Sequence, residues 1–174
     1  MSKLKPAVND RDQQTGNLQA KITLVEYGDY QCPHCGHAHP LLKRLLKEMG
    51  TELRFVFRNF PLQEAHPAAY MAALAAEAAG QQGKFWEMHD TIFENQQNLQ
   101  GHAFIDFAER LKLNLEQFAR DWKSEEIQGK VEADFESGIR SGVNGTPTFF
   151  VNNEKLLSYD GSYESLVEGI RILV

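Results

Sequence analysis

Residues 21–50 read KITLVEYGDYQCPHCGHAHPLLKRLLKEMG, and the order of events in this stretch decides the fold. Lys21–Tyr27 is a short apolar run of the kind a buried strand carries. Gly28-Asp29-Tyr30-Gln31 leads from it into Cys32-Pro33-His34-Cys35. Leu41, Leu42, Leu45, Leu46 and Met49 then recur with helical spacing, and Gly50 fits a helix end. The stretch therefore predicts a strand, a C-x-x-C at the turn, and a helix that starts on the cysteines.

A C-x-x-C at a strand-to-helix junction reads as a redox pair. At a helix start Cys32 meets unpaired backbone N–H groups, and the helix dipole favours an anion there. The thiolate is the nucleophilic form. Moving a thiol from about 8.5 to below 7 needs roughly 2 kcal/mol of preference for the thiolate. The dipole supplies about 0.3–1 kcal/mol, and hydrogen bonds to a charged group add about 1.5–3 kcal/mol. An imidazolium at His34 would add to this. Cys35 lies one turn on, placed to close a small disulfide ring.

Two other readings of the cysteines compete. A purely structural disulfide gains little, since a four-residue loop is worth only about 2 kcal/mol in the chain-entropy model. A metal module would draw on CPHCGHAH, with Cys32, Cys35, His37 and His39 as ligands. Zinc ligands usually come as two separated pairs, whereas Cys35 and His37 differ by about 200° around a helix. His37 and His39 are therefore expected on the surface or in a groove, and no metal ligand or cofactor is assigned.

Working outward, Leu53, Phe55 and Phe57 alternate with Arg54, Val56 and Arg58, which predicts a second strand. HPAAYMAALAAEAAG is Ala-rich and helical, with Gly80 as its stop. Phe85, Trp86, Ile92 and Phe93 mark another helix. Phe104, Phe107, Ala108 and Leu111 mark a third, and Leu115, Phe118, Ala119 and Trp122 a fourth, capped by Asn114 with Gln117 three residues on. Ile127, Val131, Phe135 and Ile139 form a longer stripe after Ser124. Gly145-Thr146-Pro147 opens the apolar run 148–151. A turn at Asn152-Asn153, the pair Leu156-Leu157, and a last helix after Asp160-Gly161-Ser162 complete the chain. The layout is an α/β core over residues 20–62 and 125–174, interrupted by an all-helical insertion over 63–124, with residues 1–19 a polar tail or a loosely attached first strand.

Composition narrows the function. In 174 residues 42% are hydrophobic and 24% charged, and the net charge is −6. A chain of that length buries a core without staples. The acidic balance argues against nucleic acid as partner. The small basic cluster Lys43, Arg44, Lys47 reads as a solvated helix face. Two cysteines three apart exclude a multi-bridge secreted framework. No apolar run approaches the roughly 20 residues of a membrane span. The N-terminus carries no apolar signal-peptide region, so the chain as written is expected in the cytoplasm; removal of a leader would instead make it periplasmic or exported. Nothing resembles a phosphate loop, a Ser-His-Asp set or a flavin site.

GDYQCPHC with its amphipathic helix, RFVFRNFPL, HPAA with an Ala-rich helix, GKFWEMHD and GVNGTPTFFVN together resemble the DsbA-like thioredoxin family of thiol-disulfide oxidoreductases, over about residues 20–152 and weakly to the end. The resemblance implies a thioredoxin fold with an inserted helical domain. It makes Cys32 the exposed nucleophile, Cys35 the buried resolving thiol, and Pro33 and His34 the tuning dipeptide. Glu26, six residues before Cys32, matches the family's buried proton-relaying acid. Pro147 matches its cis-proline, with Thr146 presenting backbone to an extended substrate. DsbA proteins often carry Val before this proline; Thr146 is similar to the isomerase and reductase-like branches. Protein or peptide thiols and disulfides are the implied partners, with an unidentified redox partner recycling the pair. A kappa-type glutathione-transferase-like protein shares the fold but does not rely on a C-x-x-C, and a passive thioredoxin-like interaction domain would not need its cysteines.

Overall fold

The computed structural model describes residues 2–174. Its centre is a five-stranded sheet in the order β1-β3-β2-β4-β5. The middle strand is β2 (Ile22–Gly28), parallel to β3 (Leu53–Asn59) and antiparallel to β4 (Thr148–Val151). The edges are β1 (Gln13–Gly16), antiparallel to β3, and the two-residue β5 (Glu154–Lys155). The helix α1 (Pro33–Met49) is the crossover between the parallel strands β2 and β3. The helices α2 (Ala69–Gly80), α3 (Phe85–Glu94), α4 (Ala103–Arg110), α5 (Leu115–Trp122) and α6 (Glu125–Arg140) follow β3, and α7 (Tyr163–Leu173) closes the chain. The thioredoxin-like fold with helices inserted between β3 and β4 is the one the sequence predicts.

Alternation along the strands sorts the core into two layers, because successive side chains leave a strand on opposite faces. Leu24, Leu53, Phe55, Phe57, Phe149 and Val151 pack with Cys32, Cys35, α1 and the inserted helices in the main core. Val25, Tyr27, Val56 and Phe150 face the other way, onto Leu4, Phe60, Val143 and Phe135. Glu26 is two residues from Leu24, and this parity turns its carboxylate to the face that carries the cysteines.

Three readings need correction. Of the two readings of the N-terminal segment the strand holds and the tail does not: Gln13–Gly16 form an edge strand, Leu4 is buried, and Leu4 N–H donates to the Asn153 carbonyl at 2.9 Å. The segment reads as polar because the strand is short and half-buried, while its few apolar residues cover the smaller core. Arg58 is buried on β3, since Asp12 takes two of its donors at 2.7 and 2.9 Å and Tyr27 Oη a third at 2.9 Å. Ile139 leaves its apolar stripe and is 57% exposed, at the last turn of α6. His39 is buried, not a surface group. The final hairpin closes at Glu154–Lys155, with Leu156 buried behind it and Leu157 exposed.

Candidate active site

Cys32 is the residue before α1, with extended backbone at φ −70° and ψ 123°, and Pro33 takes the first helical position. Proline suits that position because its missing N–H would have no helical partner anyway. Asp29 builds the turn that delivers Cys32. Its Oδ1 accepts from Gln31 N–H at 2.7 Å and Cys32 N–H at 3.1 Å, and its Oδ2 accepts from Leu62 N–H at 2.9 Å. His66 Nδ1 lies 2.8 Å from the same Oδ2. Gln96 closes the turn from the other side, donating to the carbonyls of Tyr30 at 2.9 Å and Cys32 at 2.8 Å. Gly36 allows this approach, because a Cβ there would collide with the Gln96 side chain.

Both cysteines are free thiols with almost no solvent exposure. A hydrogen bond from the Cys35 thiol lowers Cys32 to about 5; burial works against this, and the Thr146 side chain and the backbone N–H groups of Cys35 and His34 add to the lowering. Cys32 Sγ lies 3.5 Å from the Thr146 carbonyl, which can accept from the thiol form, while the otherwise unpartnered Thr146 hydroxyl can donate to the thiolate. Burial pushes Cys35 well above the ordinary thiol value, with its bond to Cys32 and the charge of Glu26 acting the same way. One thiol is therefore held ionised at neutral pH and the other protonated, a difference set by which sulfur receives donors.

Glu26 is 1% exposed and its Oε1 has no hydrogen-bond partner. Burial, and next the charge of Cys32, raise it to about 8. Tyr159 is raised to about 12, by burial first and then by Glu26 and Cys35, which places its hydroxyl in the same field. The Thr146–Pro147 peptide bond is cis.

The structure brings Cys32, Cys35, Glu26 and Thr146 together around one pair of sulfurs, with Pro33 and Pro147 in the backbone on either side. The reading of His34 changes: it acts on Cys32 through its backbone N–H, and its side chain is exposed. CPHCGHAH does not converge as a metal site. His37 is on the surface, with Nε2 2.9 Å from the Gly161 carbonyl, and among the described residues no three His, Cys, Asp or Glu groups that include a cysteine gather within ligating reach. Sequence reading missed Asp29, His66, Gln96 and Tyr159. Asp29 had a local signal, an Asp just before a helix start in a position to form an Asx turn; the others arrive from distant segments and had none.

The whole arrangement has known counterparts. A family model described as thioredoxin matches residues 9–170. The chain belongs to the thioredoxin family. Within that family it is similar to a thioredoxin-like oxidoreductase from Silicibacter pomeroyi DSS-3, with TM-score 0.81 and 25% identity over 95% of this chain and 93% of the other. It is equally similar to oxidised BdbD from Bacillus subtilis, with TM-score 0.80 and 25% identity over 93% and 92%. The thiol-disulfide exchange protein alpha-DsbA2 from Wolbachia pipientis shares the fold, with TM-score 0.80 at 18% identity over 95% and 89%. The thioredoxin fold that the sequence resemblance implies and these neighbours agree.

Curated relatives carry another name. The Na(+)/H(+) antiporter NhaA 1 of Salinispora arenicola is 43% identical over 158 residues, which is 91% of this chain and 24% of that protein. The Na(+)/H(+) antiporter NhaA of Herminiimonas arsenicoxydans is 39% identical over 163 residues, 93% of this chain and 25% of that protein. The chain thus spans about a quarter of the length of the curated relatives it matches. Among the described residues no helix is long and apolar enough to cross a membrane.

Proposed function

We propose that this thioredoxin-family chain is a protein thiol-disulfide oxidoreductase that exchanges its Cys32–Cys35 pair with protein or peptide thiols through a mixed disulfide on Cys32. The observation that carries the reading is the split between the two thiols, with Cys32 lowered to about 5 and Cys35 pushed up beside it. In the reducing direction the Cys32 thiolate attacks a substrate disulfide, forms the mixed disulfide, and expels one substrate thiolate. Cys35 then loses its proton to the Glu26 carboxylate and attacks Cys32 Sγ, which releases the second substrate thiolate and leaves a Cys32–Cys35 disulfide. In the oxidising direction a substrate thiolate attacks Cys32 Sγ of that disulfide, and the departing Cys35 sulfur takes a proton from Glu26. A carboxyl near pH 8 can serve both directions at neutral pH, because general acid–base groups work best close to the operating pH. Thr146 offers its backbone beside the reacting sulfur, where an extended substrate segment can pair by main-chain bonds.

A second thiol–disulfide couple must restore the pair after each turnover, and its potential fixes the net direction. A Cys32 thiolate stabilised from about 5 upward stabilises the dithiol form, which makes the disulfide the stronger oxidant. In a cytoplasmic setting the pair rests as the dithiol and reduces; in an exported setting it oxidises. The antiporter names belong to chains of which this one covers 24–25%, and no transport activity is taken from them.

Trapping tests the reading. Cys35→Ser removes the resolving thiol, so mixed disulfides on Cys32 should accumulate and appear as higher bands on a non-reducing gel. Cys32→Ser should trap none. Equal behaviour of the two variants would overturn the assignment.

A further inference from the structure

A second cluster of ligating groups lies one helical turn beyond Cys35, on the side of α1 that faces α3. Ring nitrogens of His39 and His89 and a carboxylate oxygen of Asp90 lie within 4.8 Å of one another, the one place among the described residues where three such groups meet. His39 is 7% exposed, its Nε2 has no hydrogen-bond partner, and that nitrogen lies 3.4 Å from Asp90 Oδ1. We propose that His39, His89 and Asp90 form a binding site for a first-row divalent transition metal, with zinc as the ligand of choice.

One pair already has the spacing of that ion: ligand atoms bonded to zinc at about 2.0–2.1 Å in a tetrahedron are about 3.3–3.4 Å apart, and His39 Nε2 and Asp90 Oδ1 are 3.4 Å apart. His89 lies within 4.8 Å of both and completes the set by a small closing movement of its side chain. The outer contacts that orient metal ligands are in place. Tyr30 Oη is 2.9 Å from His89 Nδ1, which leaves His89 Nε2 to ligate, and Lys43 Nζ is 2.8 Å from Asp90 Oδ2, which leaves Oδ1. Such partners fix the tautomer and orientation of metal-binding imidazoles and carboxylates. His39 stacks on Phe93 and His89 meets Phe57 and Trp86 edge to face, so helix and aromatic packing hold the rings rather than a loop. Two imidazoles and one carboxylate suit zinc over calcium or magnesium, which prefer all-oxygen sites. Asp90 is the partly exposed member, so a fourth position opens toward water on its side.

The cysteines offer a competing zinc site, and the experiment removes it by using the full chain with its disulfide closed. Zinc chloride alone is titrated into that form against a competing chromophoric chelator, with thermal unfolding followed in parallel. We expect one equivalent bound, a rise in Tm with zinc, and the same result for the Cys32→Ser, Cys35→Ser double variant. Asp90→Asn, at the exposed side of the site, should weaken zinc at least tenfold while leaving the metal-free Tm close to that of the parent; His39→Leu should abolish binding and the Tm rise. Cobalt(II) in the closed form should give visible d–d bands without the sulfur-to-metal charge-transfer band of a thiolate site. No zinc bound by the disulfide form, or equal zinc affinity in Asp90→Asn and the parent, overturns the site.

Discussion

Glu26 and Glu77 are the same residue type at nearly the same burial, 1% and 2% exposed, and burial raises both, yet the fold surrounds them differently. Glu77, on α2, receives Gln13 Nε2 at 2.7 Å and Asn59 Nδ2 at 2.8 Å, and Lys130 Nζ lies 3.6 Å away. Asp134 joins the same network through Asn59 at 2.9 Å and Lys130 at 2.7 Å, which ties α6 to β3. Glu26, on β2, has an orphaned oxygen, no cation beside it, and a cysteine pair above it. A buried carboxylate with donors and a counter-charge is a fastener. A buried carboxylate without them costs free energy when ionised, and what that cost provides is a group that changes its charge near neutral pH. Burial alone does not separate the two; the donors around each oxygen do.

The largest expected effect comes from breaking the fastener. Lys130→Met leaves Glu77 and Asp134 facing each other without their cation, and removal of one partner of a buried pair costs about 3–5 kcal/mol. Urea unfolding at pH 7 should show that loss, shrinking at low pH where both acids take up protons. The exchange rate per folded molecule should stay that of the parent, since the network lies between β3, α2 and α6, away from the sulfurs. A loss below 1 kcal/mol would mean that Glu77 is as unsupported as Glu26.

Glu26→Gln should act the other way. With Glu26 raised to about 8 against an unfolded value near 4.5, the folded dithiol chain keeps a proton that the unfolded chain has released. Folding then takes up a proton in this window, so this contribution to stability is complete below about pH 4.5 and is lost as pH rises through 8. At about 1.4 kcal/mol per unit, and allowing for relaxation, the parent should lose about 2–4 kcal/mol across that window relative to Glu26→Gln. The variant should therefore be the more stable protein at pH 8 and the slower one in resolving mixed disulfides. A variant whose stability follows the parent at every pH would show that Glu26 stays ionised in the fold.

The smallest effect tests the coupling between Glu26 and Cys32. Thr146→Val removes a hydroxyl that stabilises the Cys32 thiolate, and the sulfur should titrate about one unit higher, solvent screening keeping the shift modest. Thiolate absorbance against pH reads it directly. Cys32 would still be ionised near pH 8, where Glu26 titrates, so the Glu26 titration should stay where it is in the same variant. An unchanged Cys32 titration would remove the Thr146 hydroxyl from the site.

The sequence by itself determined the redox pair, the elements around it and their order. Those features are local: a strand-length apolar run, two cysteines one helical turn apart, Asn114 and Ser124 accepting from Gln117 N–H and Ile127 N–H as helix caps. Periodicity and capping are written into neighbouring residues, so they survive being read without coordinates. The role of Glu26 was available only through family resemblance, because a lone Glu on a strand looks the same whether it faces water or a thiol. Only the tertiary structure decided that Glu26 lacks donors while Glu77 has them, that Arg58 is buried on Asp12 from a segment that reads as a polar tail, and that His34 touches Cys32 through its backbone. It also joined Asp29 to His66 and Gln96 to the Cys32 turn, and set His39 of α1 against His89 and Asp90 of α3. The physical reason is common to all of them: donors, counter-charges and desolvation act over a few ångströms of space, and the groups that supply them here come from segments tens of residues apart.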